Sequence, residues 1–330
     1  MRIILDAMGG DKGPVEAARG AVDAARDLGT EVILVGDASV LEPHIRGASR
    51  VSLVHSSETI DPGEQPVAAI RRKRASSMVI GLEMLSKGEG DAMVSPGNTG
   101  ALLAGGLIIL GRAASVERPA LAVAIPTLVD RPLVLLDVGA NAEVKPRNLL
   151  QFGHMGSLYA ESVLGLAKPR VALLNMGTEP SKGTETCRAA YGLLKESGLE
   201  FSGNIESRDM FYGVADVAVC DGFTGNILLK FAEGIGLAFL GVLKDEITRS
   251  RHLAMAATML KPALARAKAR MDYNSYGGAP LLGLAKPCIK CHGSSNAEAF
   301  KNGVRVALEL ARSHAIDSLS RRLEALASDL

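Results

Sequence analysis

Ile3-Ile4-Leu5-Asp6-Ala7-Met8-Gly9-Gly10-Asp11 is a short apolar run that stops at an acid and turns through two glycines, and residues 14–28 after it read as an amphipathic helix. Strand, glycine-rich turn and helix in that order open a βαβ unit. The alternation continues almost end to end. Further strands are predicted at 32–35, 51–55, 92–95, 121–126, 133–137, 171–175, 217–220 and 288–291. Helices are predicted at 66–85, 99–110, 147–164, 183–195 and 296–314. Such a pattern belongs to an α/β fold. No low-complexity linker, compositional break or internal repeat divides the chain, so one continuous α/β unit over residues 1–330 is expected, with two lobes as the other arrangement.

Composition narrows the function. At 330 residues, against roughly 150 per domain, a sizeable core is expected. Hydrophobic residues at 47% and charged residues at 22% disfavour disordered, collagenous and coiled-coil chains. Lys and Arg number 37 against 36 Asp and Glu, too even for a surface that grips nucleic acid. With no Trp and few Tyr or Phe there is also little surface for base stacking, so no nucleic-acid partner is expected. Asp6 falls where a secretory signal would still be apolar, so the protein is expected to stay in the cytoplasm. The apolar windows at 101–110 and 235–243 are shorter than the roughly 20 residues of a spanning helix, so no crossing is expected.

Four cysteines without an export signal read as free thiols. Cys288-Ile289-Lys290-Cys291-His292 matches the C-x-x-C-H pattern of haem attachment, and C-x-x-C alone suits half a zinc site or a redox pair. Cys187 and Cys220 supply no second close pair, and the favoured reading is a strand ending in half-buried thiols.

Loops that follow the strands are rich in Gly, Asn, Ser, Thr and Asp, notably at 6–11, 95–100, 137–141, 175–179, 221–226 and 292–296. Open α/β sheets bind ligands beyond the carboxyl ends of their strands, and the six loops are expected together at one end of the sheet. A glycine-rich turn into a helix aims unpaired amides and the positive end of the helix dipole at one spot, which suits an oxyanion. Asn98, Thr99 and Gly100 form the best example. Gly and Asn also serve such turns whatever they bind, because they tolerate positive φ. There is no G-x-G-x-x-G after a strand, no Gly-Lys-Ser/Thr loop and no H-E-x-x-H. Asp6, Asp11, Asp137 and Asp221 form the one carboxylate set suited to Mg²⁺, although acids at strand ends also cap turns and helices.

Residues 5–11, Leu5-Asp6-Ala7-Met8-Gly9-Gly10-Asp11, resemble the opening of the bacterial phosphate acyltransferases of the PlsX type, and further matches follow in order. They include Arg71 to Met78, Gly97 to Ala101, Asp137 to Asn141, Leu174 to Glu179, Lys182-Gly183, Gly203 to Asp209, Asp221 to Asn226, Tyr276 to Leu281 and His292 to Ser295. Pro96 and Cys291 depart from the usual small apolar residues. The resemblance implies a three-layer α/β/α fold like that of the isocitrate and isopropylmalate dehydrogenases, working as a homodimer with no metal, nucleotide or other cofactor. It implies transfer of a fatty acyl group from acyl-acyl carrier protein to inorganic phosphate, giving acyl phosphate for phospholipid synthesis. Phosphate is itself the nucleophile, in keeping with the missing G-x-S-x-G, so the protein's task is positioning and oxyanion stabilisation. Asn98, Thr99 and Gly100 are then expected to bind phosphate or oxyanion, and Lys182 to stabilise charge. Asn226 and Ser294 would donate hydrogen bonds, and His292 would protonate the departing thiolate. Asp6, Gly9, Asp137, Asn141 and Asp221 complete the expected substrate-binding set, the acids and Asn141 chiefly by ordering loops.

Residues 249–271 carry Arg249, Arg251, Lys261, Arg266, Lys268 and Arg270 without an acid, interleaved with Leu253, Met255, Met259, Leu260, Leu264 and Met271. A basic and apolar helical hairpin over 244–273 is expected, with Pro262 starting its second helix. It suits an anionic bilayer on the inner face of the cell membrane, beside a downstream membrane glycerol-phosphate acyltransferase. A dimer-packing hairpin is the competing reading, and the acidic carrier protein would dock on this patch or on Arg71 to Arg74. A dehydrogenase and a non-enzymatic membrane scaffold are the other functional classes to separate.

Overall fold

The computed structural model describes residues 1–270 and 276–328. The chain runs β1 (Arg2–Asp6), α1 (Pro14–Leu28), β2 (Glu31–Gly36), α2 (Ala38–Ile45), β3 (Val51–His55), α3 (Pro66–Arg72), α4 (Ser77–Ser86), β4 (Ala92–Ser95) and α5 (Thr99–Gly105). It continues through β5 (Ala120–Ile125), β6 (Leu133–Leu136), α6 (Pro146–Ser162), β7 (Val171–Leu174), α7 (Glu185–Lys195), β8 (Phe201–Ile205) and β9 (Val217–Val219). The last part comprises α8 (Gly222–Thr248), α9 (Arg251–Arg270), β10 (Ala279–Leu282), β11 (Cys288–Lys290), α10 (Ala297–Arg312) and α11 (Ala315–Ser328).

All eleven strands form one sheet in the order β3-β2-β1-β4-β11-β10-β5-β6-β9-β7-β8. Successive side chains of a strand point to opposite faces, so a sheet covered on both sides builds two cores. Ile3 and Leu5 of β1 enter one core and Ile4 the other, and β4 splits in the same way, Ala92 and Val94 against Met93. Helices α1, α6 and α10 cover the first face, where Phe152, Tyr159 and Phe300 are fully buried. Helices α3, α4 and α5 cover the second. The result is the three-layer α/β/α arrangement.

The strands do not all run one way. β1, β2, β3, β4 and β11 are mutually parallel, but β10 lies antiparallel to both β11 and β5, and β5 is antiparallel to β6. β6, β9, β7 and β8 are parallel to one another and opposed to β1. The six polar loops therefore cannot meet at one end. Those after β1, β4 and β11 share one end, and those after β6, β7 and β9 share the other.

Other sequence expectations also change. The helix predicted over 66–85 is two helices, because Ser77 N–H bonds Glu58 O at 3.2 Å and Ser76 Oγ donates to Lys73 O at 2.7 Å, diverting the chain between them. Residues 106–110 leave α5 as a π-helical turn. α2, β8, β10 and α11 were not anticipated. The first limb of the hairpin begins at Gly222 rather than at 244, and α9 passes through Pro262 instead of starting there. Residues 271–273 of the predicted hairpin, Met271 among them, lie outside the described residues, and no side-chain description applies to Arg251, Leu253, Lys268 or Arg270. α8 also revises the apolar-window reading. Its 27 residues are long and apolar enough by composition to cross a bilayer, with an 18-residue stretch of mean hydropathy 1.6, none of it buried.

His154, on α6, is buried with neither ring nitrogen bonded among the described residues. Burial first, and the charge of Arg322 second, pull its pKa down to about 4, against the opposing effect of Glu161. The unfolded chain, titrating near 6.5, then binds more protons than the folded one between these values, so stability falls as pH drops through that window. Urea unfolding at pH 7.5 and pH 5 is expected to show a loss that His154→Leu reduces by roughly 2 kcal/mol, and equal losses in both proteins would refute the assignment.

Candidate active site

Three loops interlock at the carboxyl ends of β1, β4 and β11. Asp11 N–H donates to Gly293 O at 2.7 Å, and Cys291 N–H donates to Ser95 O at 2.9 Å. Buried Asp6 accepts from Ser95 Oγ at 2.7 Å and from Met8 N–H at 3.1 Å, so its carboxylate orders the loops. Gly9 lies directly on Gly97, where a Cβ would come within 2.6 Å of the Gly97 Cα. This contact admits no side chain. The loops border an open cavity of about 320 Å³ lined by Gly9, Asp11, Asn98, Thr99, Gly100 and Lys290, among others.

Asn98 caps α5 by accepting from Ala101 N–H at 3.0 Å, and its amide donates to Pro62 O at 2.6 Å. Its side chain is thus spent on local structure. Thr99 and Gly100, in the first turn of the helix where backbone N–H groups have no intrahelical acceptor, also line the cavity.

A second cleft of about 400 Å³ adjoins the first, sharing Thr99 and Lys290. It crosses the sheet face between α5 and α8. Leu121, Val123, Val138 and Leu229 supply its apolar lining, and Asn226, Lys230, Glu233 and His292 its polar one. Asn226 makes no side-chain hydrogen bond among the described residues and stands against Gly139, with its Cγ 3.7 Å from where a Cβ on that glycine would be. Ser294 N–H donates to His292 Nδ1 at 3.2 Å, and Ser294 Oγ lies 2.8 Å from the same nitrogen. An acceptor Nδ1 places the neutral ring's proton on Nε2, the nitrogen left for a ligand. Ser294 itself lines neither cavity.

Asp137, Asn141 and Asp221 work at the opposite end of the sheet. Asp137 is fully buried and accepts from the amides of Leu121, Gly139, Ala140 and Asn141 and from Asn141 Nδ2, at 2.7 to 3.1 Å. Burial raises its pKa and these donors oppose the rise. Asn141 also receives Gly222 N–H on its carbonyl at 2.7 Å, and Asp221 caps α8 through Thr224 N–H at 2.8 Å. These contacts aim α8, and with it Asn226, at the cleft. Lys182, exposed on the loop after β7, lines neither cavity.

The remaining sequence candidates separate cleanly. Cys288 and Cys291 are buried in cores on opposite faces of the sheet, which removes the redox-pair reading, and burial pushes both thiols up to about 12. Asp6 and Asp11 stand at one end of the sheet, Asp137 and Asp221 at the other, so the four do not converge on one ion. No group of three or more His, Cys, Asp or Glu among the described residues is placed to hold a metal. Of Arg71 to Arg74, three are ion-paired: Arg72 and Lys73 with Glu64 at 2.8 and 2.5 Å, and Arg74 with Glu83. The predicted docking patch is therefore largely neutralised.

Lys290, Lys230, Glu233 and the apolar floor escaped the sequence reading. Lys290 sat inside the C-x-x-C-H stretch, where a cation at the end of a strand was the available signal. Its Nζ donates to Pro96 O at 3.1 Å and to Cys291 O. Burial lowers its pKa, while Cys291, Asp6 and Asp11 act to raise it.

With this geometry established, relatives define the family. The family described as "Fatty acid synthesis protein" matches residues 1–318. The chain is 51% identical over 312 residues to the phosphate acyltransferase of Heliobacterium modesticaldum, covering 93% of each. The chain belongs to the phosphate acyltransferase family. Like other phosphate acyltransferases it is an acyltransferase, and the fold agrees. A phosphotransacetylase from Streptococcus pyogenes superposes with TM-score 0.63 at 17% identity over 94% of each chain. A 4-hydroxythreonine-4-phosphate dehydrogenase from Klebsiella pneumoniae superposes with TM-score 0.54 at 14% identity, over 94% of this chain and 99% of that one. The dehydrogenase-like architecture implied by the sequence is thus present, here in a phosphate acyltransferase.

Asp137→Ala strands several buried donors, each costing about 1–3 kcal/mol, and is expected to lower the urea midpoint sharply. Asn226→Ala removes a side chain without a hydrogen-bond partner among the described residues and should leave the midpoint within the equivalent of ~0.5 kcal/mol. The reverse order would show that the two roles are misassigned.

Proposed function

We infer that the joined cavities carry out acyl transfer from acyl-acyl carrier protein to inorganic phosphate, giving acyl phosphate for phospholipid synthesis. The observation that carries this reading is a small hollow lined by Gly9, Thr99, Gly100 and Lys290 that shares Thr99 and Lys290 with a larger, partly apolar cleft. A tetrahedral anion suits the first and a fatty thioester the second.

Phosphate is held by the Thr99 and Gly100 amides, with Gly9 allowing close backbone approach. One of its oxygens attacks the thioester carbonyl and forms the new C–O bond. Asn226 Nδ2 and His292 Nε2–H donate to the oxyanion as it develops, an interaction stronger in the transition state than in the ground state. Collapse breaks the C–S bond, the His292 Nε2–H hydrogen-bonds the departing phosphopantetheine thiolate, and the thiolate takes up the proton that hydrogen phosphate gives up on becoming acyl phosphate. Ser294 holds the histidine tautomer. Lys182, exposed and without an ion pair among the described residues, is assigned to the acyl phosphate charge from outside the cleft lining.

We further propose a cytoplasmic homodimer of single catalytic units bound peripherally at the anionic inner face of the membrane. Support comes from α8, where Phe223, Ile227, Phe231, Ile235 and Phe239 are all exposed at four-residue spacing, and from Met255, Met259 and Leu260 on α9, also exposed. A membrane glycerol-phosphate acyltransferase would take the product there. An NAD-dependent dehydrogenase is the alternative on this fold, and an unchanged melting temperature with NAD would set it aside.

Incubation with acyl-acyl carrier protein and phosphate, followed by hydroxylamine trapping, is expected to yield acyl hydroxamate. Asn226→Ala should reduce that yield at least tenfold, as expected for an oxyanion donor worth about 10² to 10³ in turnover. A wild-type protein yielding none would refute the function, and an undiminished variant would remove Asn226 from the site. Sedimentation with anionic liposomes should be lost in a Met259→Glu/Leu260→Glu variant and weak with neutral lipid, whereas equal pelleting throughout would argue against the membrane surface.

A further inference from the structure

We propose that Lys290 is a catalytic residue of this reaction: its Nζ, set in the wall where the two cavities meet, supplies the positive charge that holds inorganic phosphate against the Thr99 and Gly100 amides. The inference rests on the acyltransferase reading above and adds to it a cation within the cavity lining.

Lys290 is the last residue of β11, held in register between Ser95 of β4 and Ala279 of β10. Its position is set by the sheet and not by a loop. An ammonium has three donors. Two go to the carbonyls of Pro96 and Cys291, which fixes Nζ between the β4 and β11 loops and leaves a third. No ion pair engages Lys290 among the described residues, although it is the one basic side chain lining the smaller cavity. It also lines the larger cleft, as does Thr99.

The charges around it point the same way. Asp6 and Asp11 both lie near enough to act on Lys290, and Asp11 lines the smaller cavity as well. Without the lysine, the one charged side chain lining the pocket assigned to a phosphate dianion would be the Asp11 carboxylate. With it, the anion meets a charge-assisted donor on one side and helix amides on the other. A partly buried ammonium bonded only to carbonyls is incompletely compensated, and a bound anion completes it. Lys290 acts through its charge. It orients the attacking oxygen and exchanges no proton, while the C–O bond forms, the C–S bond breaks and the thiolate takes up the proton lost by hydrogen phosphate.

Steady-state acyl phosphate formation is measured with phosphate and acyl-acyl carrier protein varied in turn, for wild type, Lys290→Met and Lys290→Gln. The glutamine variant keeps a donor for the two carbonyls and loses the charge, so it serves if the methionine variant fails to fold. The expected result is a phosphate KM raised at least about tenfold in the folded variants, with the KM for acyl-acyl carrier protein within about twofold of wild type. Phosphate should also raise the melting temperature of wild type and not of the variants, a readout independent of turnover. An active wild type with unchanged phosphate KM in a folded variant overturns the role of Lys290 alone. A wild type that forms no trapped acyl hydroxamate overturns the underlying reading instead.

Discussion

The reversal of strand direction at β10, β5 and β6 is the constraint on which the site depends. Parallel α/β sheets collect their ligand-binding loops beyond one edge. Here one set of strands ends where the other begins, and each edge receives half of the polar loops. A site using both halves must lie across the face of the sheet. α8 makes this possible, because it starts in the far loops at Gly222 and passes over the face beside Leu121 and Val123.

The two ends contribute differently. At one, the loops after β1 and β4 border a small hollow with a single lysine. At the other, Asp137 spends its buried carboxylate on hydrogen bonds that set the entry of α8. The second arrangement is mechanical. It carries no substrate contact, yet it decides where Asn226 stands. A reaction whose nucleophile is a substrate asks little chemistry of the protein, and positioning and fixed dipoles supply most of what is needed. That division fits a site whose reactive-looking thiols, Cys288 and Cys291, are buried in the cores on opposite sheet faces.

The same helix that lines the cleft continues outward as an exposed apolar surface. Its first turns pack on the core through Leu228 and Leu229, and beyond them large apolar side chains face solvent. A fatty product released from the cleft therefore leaves beside an apolar helix pair, which ties the acyl chemistry to a surface suited to lipid.

Much of this protein was legible in its amino-acid order. The short continuous apolar runs located β1, β2, β4, β6 and β7, because a strand buried on both faces needs apolar side chains throughout. Gly, Asn and Asp after those runs marked Gly9, Thr99, Asn226 and His292 as cleft residues, since turns into helices require small or capping residues. Pairing partners and strand direction are set by contacts between segments far apart in the chain. The sequence therefore could not say that the polar loops divide between two ends, that Asp137 and Asn98 have their bonding capacity filled internally, or that Lys73 is neutralised by Glu64. Nor could it single out Lys290, whose place in a cavity wall exists only once β4, β10 and β11 lie side by side.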